Sequence, residues 1–321
     1  MDVIGIGKFL EEELREYEPT ILKTVYPELW GYEGLRFPTM GNLALGLRSI
    51  MHARMDHVGR AVNYGGKATS IPLVNFGITM EESKTIVGVL GAEWTYFDLE
   101  AERTAKKFPQ LLQQRNLVQE YRNALERGLR EWMHIKSWAG DAQAGIAGFF
   151  SNPDVTVINE TQNLYTMTPG QLHNWWIDLL TSYRMSNRLT AEASSVLISE
   201  PLRAAMTRRF GDGSSDGTPL KMVRDELLTN VNVVNELSSA YLEEFGVVAP
   251  GTNKDLIILY ENQPSVLDRR YYPIEVTAPG LLDDQLTYRV VGFCATSEAR
   301  IKQPMRVKYI LHPKSTMAIA V

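Results

Sequence analysis

The chain has 321 residues, 44% hydrophobic and 22% charged, the proportions of an ordinary globular protein; its length points to two compact units or one domain with large extensions. Thirty-three Lys and Arg against 38 Asp and Glu leave a formal net charge of −5, which excludes tight nucleic-acid binding through an overall basic surface. The single cysteine, Cys294, excludes an intramolecular disulfide and a multi-thiolate zinc site.

The opening Met1 to Lys8, followed by Glu11, Glu12 and Glu13, has no basic head, apolar stretch or cleavage site of secretory type, so no export is expected. Nowhere does the chain reach the roughly 18 unbroken apolar residues of a membrane span. The expectation is a soluble chain made in a reducing, intracellular setting, with no membrane partner.

Residues 1 to about 50 begin with one helical pattern, Phe9, Leu10, Leu14, Tyr17 and Ile21. A stretch punctuated by Pro19, Pro27, Gly31, Gly34 and Pro38 follows, carrying Tyr26, Trp30, Tyr32 and Phe37 without a regular period. Aromatics spaced along an arm make no core of their own, so they must lie on the body or on another chain.

Residues 53 to 96 read as β structure. Ala61 to Tyr64, Gly65-Gly66 and Ile71 to Phe76 lead to a polar tip at Met80 to Lys84, with Thr85 to Val89 and Trp94 to Phe97 returning. This is a long hairpin excursion, and a two-stranded hairpin is marginal alone in water. Strands inside an ordinary sheet are the other reading of these residues.

From Asp98 the pattern turns helical, and Pro109 separates a short helix from a long one. In the long helix Val118, Tyr121, Leu125, Leu129 and Trp132 form one apolar stripe, while Arg115, Arg122, Arg127 and Arg130 fall on a solvated face. Ala139 to Asn152 is a small-residue segment whose glycines follow a helix and lack the Lys-Ser/Thr pair of a phosphate loop, so a bend is expected there.

Thr168-Pro169 starts a further helix through Leu172, Trp176, Leu180 and Tyr183. Ser195 to Ser199 reads as a strand, Pro201 opens a helix to Arg209, and Leu220 to Leu228 forms another. Strands then dominate: Val231 to Val234, Leu256 to Tyr260, Tyr272 to Thr277, Thr287 to Ala295 and Met305 to Leu311. Helices and strands mix without a βαβ rhythm and without an internal repeat, which gives an α+β fold class.

No constellation supports catalysis, a cofactor or a metal. The loop Asp212 to Gly217 matches the first half of a calcium loop, but its twelfth position is Val223 where a bidentate carboxylate is needed. His52 and His57 are five apart and share no face. His134, His173 and His312 stand alone and read as structural. Cys294 lies in an apolar strand, where burial raises the thiol pKa. Glu81-Glu82, Glu243-Glu244 and Asp283-Asp284 are adjacent pairs that point apart and share no proton.

The order of parts resembles the major capsid proteins of tailed bacteriophages, a fold shared with herpesvirus shells and encapsulin compartments. Trp94-Thr95-Tyr96 with Asp98-Leu99-Glu100, the bend ending Gly-Phe-Phe-Ser-Asn-Pro153, Ser-Val-Leu-Ile-Ser-Glu-Pro201 and Ile301 to Tyr309 look like their counterparts there. The resemblance implies an N-terminal arm at 1–52, an extended loop at 53–96, a peripheral domain at 97–199 and 263–321 with a spine helix at about 110–137, and an axial domain at 200–262. It implies a structural, non-enzymatic virion protein that assembles with itself into hexamers and pentamers around double-stranded DNA. Scaffolding, portal, protease or decoration proteins are the implied partners. No cleavable scaffold segment is expected before the arm. Subunit-interface candidates are Trp30, Tyr32, Phe37, Tyr64, Lys67 and Phe76; no crosslink is expected at Lys67. An encapsulin-like compartment, and more remotely a cytosolic enzyme, are the alternatives.

Overall fold

The computed structural model describes residues 38–58, 75–105, 117–210, 217–225, 230–284 and 286–314. In chain order these form β1 (Thr39–Asn42), β2 (Ser49–Val58), β3 (Asn75–Thr95), α1 (Tyr96–Ala105), α2 (Leu117–Trp138), β4 (Gly140–Asp141), β5 (Ile146–Ala147) and β6 (Thr156–Asn159). There follow α3 (Pro169–Ser186), β7 (Ser195–Ile198), α4 (Glu200–Met206), α5 (Pro219–Asp225), β8 (Asn230–Val233) and α6 (Ser239–Glu244). The chain closes with β9 (Lys254–Tyr260), β10 (Leu267–Val276), β11 (Gly280–Leu281), β12 (Thr287–Ser297), β13 (Arg300–Ile301) and β14 (Val307–Pro313). The expected α+β class is what the chain adopts.

A seven-stranded sheet runs β1-β10-β12-β3-β2, with β11 on β12 and β13 on β10. A five-stranded sheet runs β6-β14-β9-β7-β8, and β4 pairs with β5. In the five-stranded sheet β6 and β8 are parallel to their neighbours, whereas β9 is antiparallel to both β7 and β14. Its strands come from both sides of residue 199 and from both sides of residue 262, so the expected cuts at those positions fall within one sheet.

The described residues divide into two compact units. The first holds Val89–Glu131 and Ile274–Phe293. Its core is Trp94, Leu125 and Val290, with Trp94 stacked on Tyr121 at 5.5 Å and on Tyr288 at 6.3 Å between ring centroids. The apolar stripe expected on α2 supplies Val118, Tyr121 and Leu125 to it. Glycine permits close packing here, since a Cβ on Gly292 would stand 2.8 Å from Leu129.

The second unit holds residues 38–88, Trp132–Pro273 and 294–314. It has two cores on opposite sets of strand residues, as the period of two requires. Leu197, Ile258, Tyr260 and Tyr309 face Trp138, Phe149 and Phe150, while Val196, Ile198, Ile257, Leu259 and Ile310 face Trp176, Leu180 and Leu202. α3 begins where the sequence placed it: the Thr168 side chain accepts from the Gln171 N–H, and the Gln171 side chain accepts in return from the Thr168 N–H.

α2 stops at Trp138 because Gly140 takes a positive φ of 83° in a knot tied against Gly148. A Cβ on Gly148 would lie 2.3 Å from the backbone of Ala139 and Gly140. The small-residue segment is thus a compressed bend, held by Asp141, which accepts from Lys136 at 2.7 Å and from the Gln143 and Ala144 N–H groups.

The polar tip expected at Met80 to Lys84 is corrected. These residues lie in the middle of β3, a continuous 21-residue strand, paired antiparallel with Ser49–Ala53. Glu81, Glu82 and Lys84 are exposed and fall on both faces of the ribbon, and β pairing starts at Ser49, ahead of residue 53.

Candidate assembly interface

The β2–β3 ribbon begins from a charged root. Thr85 N–H donates to Arg48 O at 3.0 Å and Glu298 N–H donates to Lys84 O at 3.0 Å, tying the ribbon to the loop after β12. Ser83 is buried at this root, and burial raises the Glu298 carboxyl above its ordinary value. Beside it Asp268, 3% exposed, receives Arg300 through two hydrogen bonds of 2.9 and 2.6 Å and Lys302 at 2.8 Å. His52 is held below its usual pKa by burial first and by Arg300 next. Arg269, fully buried, donates to Ser137 through its guanidinium and to Pro38 O through its backbone at 3.1 Å.

Beyond the root the ribbon turns apolar on one side. Met51 pairs with Glu82, and Ile78 and Met80 stand at even steps from Glu82 along β3, so the period of two sets all three on one face. They are 57%, 67% and 59% exposed. Three large apolar side chains in a row on a two-stranded ribbon are an unsatisfied surface.

Phe76 occupies the next even step of β3, opposite His57, on the register of Ile78 and Met80. Trp30, Tyr32, Phe37, Tyr64 and Lys67 lie outside the described residues, as does most of the Asp212 to Gly217 loop. The structure therefore brings one candidate, Phe76, onto the ribbon and leaves the others unplaced.

The titratable groups elsewhere are structural. Cys294 is fully buried, and burial pushes its thiol up to about 11, as the apolar strand implied. His134, which the sequence left without a partner, meets Glu236 at 2.7 Å. Asp255 is buried and accepts from Tyr165 O–H and from the Ser239 N–H at 2.7 Å. Glu236 and Asp255 were missed because their partners lie 102 and 90 positions away, beyond any motif spacing. Among the described residues no group of three or more His, Cys, Asp and Glu is placed to hold a metal ion. No helix of the described residues is long and apolar enough to cross a membrane.

Large apolar side chains left exposed along a two-stranded ribbon mark a protein–protein contact surface. The chain belongs to the major capsid protein family, whose model matches residues 59–310. No curated protein matches it. Among solved structures it is similar to the capsid of Myoviridae phage XM1, with a TM-score of 0.74 and 11% identity over 94% of this chain and 97% of that one. The capsid of cyanophage P-SCSP1u is similar at TM-score 0.58 and 11% identity, over 95% of each chain. A chain of Mycobacterium phage Adephagia is similar at TM-score 0.58 and 11% identity, over 99% of each. At such identities the likeness is one of fold, and that fold is the one the order of parts suggested. The chain is a structural phage capsid protein.

Proposed function

We propose that this chain assembles with itself into hexamers and pentamers that close an icosahedral phage head around double-stranded DNA. The carrying observation is the exposed apolar face at Met51, Ile78 and Met80 on a chain of the major capsid family. Burial of each such side chain against a neighbour contributes about 1.5–3 kcal/mol, repeated at every copy. Closed symmetry multiplies that gain and leaves no apolar edge. A net charge of −5 suits a container that encloses DNA without gripping it. The family match sets this reading above an encapsulin-like compartment.

In this assignment the β2–β3 ribbon is the extended loop, the first compact unit is the peripheral domain with α2 as its spine, and the five-stranded sheet belongs to the axial domain. The arm is the segment expected at 1–52, with Trp30, Tyr32 and Phe37 as anchors on a neighbour, and Tyr64, Lys67 and Phe76 serve the same role on the loop. Assembly takes place in the host cytoplasm with scaffolding, portal, protease or decoration proteins, and the protein itself performs no catalysis. Electron microscopy of the expressed chain tests this: closed particles support it, and a dispersed monomer refutes it.

A further inference from the structure

The second unit carries two surfaces of opposite character at the two ends of one strand. At the C-terminal end of β9, a groove of about 450 Å³ opens between the end of α3 and the turn before β14. Arg188, Lys302, Arg306, Asn187 and Gln303 line it. Met185, Leu189 and Met305, which are 65%, 72% and 64% exposed, give it an apolar surround.

Two independent features mark this groove. Three cations line it, Arg188, Lys302 and Arg306; Arg306 is paired with Glu261, and Lys302 shares Asp268 with Arg300. The nearby Arg184 is paired with Glu192 at 3.3 Å and adds no net charge. Arg188 and Leu189 also hold consecutive positive φ values of 53° and 61°, a strained conformation for such side chains. Leu189 keeps this conformation while 72% exposed, its N–H donating to Arg184 O at 2.9 Å.

At the N-terminal end of β9 stands the complement. Tyr241, 42% exposed, stacks on Phe245 at 6.2 Å, beside Glu243 and the exposed Glu244. Glu243 accepts from the Asn253 N–H at 3.2 Å, which fixes this knob to the start of β9. The groove is fixed to the other end, because Glu261, just past Tyr260, holds Arg306 at 2.6 Å. The seven residues of β9 separate the two by roughly 20 Å. Knob and groove of one copy therefore never meet.

We propose that they meet between copies: the Tyr241–Phe245 pair and the Glu243 and Glu244 carboxylates of one copy enter the Arg188–Lys302–Arg306 groove of the next. Different patches at opposite ends of one strand make a head-to-tail contact, which closes a ring where the rotation between copies divides a full turn. Methionine on the groove's surround adapts to an inserted aromatic pair. Charge sets the register of the contact. This inference rests on the self-assembly proposed above and names the surfaces that carry it around a ring.

The test is the full-length double variant Leu189→Cys with Tyr241→Cys, oxidised and run on a non-reducing gel beside each single variant; the only native thiol, Cys294, is buried. The expected result is a covalent ladder from the double variant alone. Arg188→Glu raises the concentration needed for assembly by at least about tenfold, and adding Glu244→Arg to it restores most of the loss. Assembly of the unmodified chain with no ladder, or with Arg188→Glu assembling normally, overturns this docking and leaves the shell reading standing. An unmodified chain that stays monomeric overturns both.

Discussion

His134 Nε2 lies 2.7 Å from Glu236 Oε1, while His134 Nδ1 accepts a hydrogen bond from Trp138 Nε1 at 3.2 Å. Because indole nitrogen only donates, Nδ1 must be the bare nitrogen and Nε2 carries the proton toward the carboxylate. One imidazole thus satisfies two other groups within the last two turns of α2 and the turn before α6.

His134→Ala is expected to cost about 2–4 kcal/mol, since it leaves a largely buried carboxylate and an indole N–H without this partner. Urea denaturation measures this. Glu236→Gln keeps an acceptor toward Nε2 and should lose about 1 kcal/mol. Equal losses for the two variants would refute the asymmetry.

A second histidine makes stability depend on pH. His312 is fully buried, and burial lowers its pKa from the ordinary 6.5 to about 4. The unfolded chain therefore binds a proton that the folded chain refuses between those values, and stability rises with pH across that window. Full stability is present above about pH 6.5, and up to roughly 3 kcal/mol is lost as pH falls to 4. Denaturation midpoints measured at pH 7, 5.5 and 4.5 check this, with His312→Phe flattening the slope; an unchanged slope in that variant contradicts the assignment.

Glycine substitutions separate crowding from conformational freedom. Gly148→Ala has no room, with backbone atoms of Trp138, Ala139 and Gly140 2.3 Å from the new Cβ, and is expected to cost more than about 3 kcal/mol or abolish soluble expression. Gly170, in the first turn of α3, has nothing within 4 Å of the same position. Gly170→Ala should raise stability by about 0.5 kcal/mol. Thermal melts of the two variants should therefore move in opposite directions.

Much of the fold was legible because local signals agreed with tertiary need. α3 announces itself through Thr168, Pro169 and Gln171, and α2 through a stripe that the first unit buries. β9 and β14 are apolar runs that become the centre of a sheet. What escaped notice is non-local. β6 is a four-residue strand fixed by parallel pairing with β14, about 150 positions on. The first half of β10, with Asp268, Arg269 and Arg270, looks like a polar loop until Arg300 and Lys302 neutralise Asp268. The tip expected at Met80 to Lys84 has the same origin, since four consecutive polar residues within one strand resemble a turn until the partner strand is known. On the ribbon, Phe76 was named and Met51, Ile78 and Met80 were not, because exposure is decided by the fold.

The most direct test of the account is assembly of the variant carrying Ile78→Asp and Met80→Asp, compared with the unmodified chain by electron microscopy and light scattering. Both positions are exposed in the single copy, so the variant should melt within about 0.5 kcal/mol of the parent. The account predicts closed particles from the unmodified chain and folded, unassembled subunits from the variant. Closed particles from the variant at the parent's concentration would contradict it.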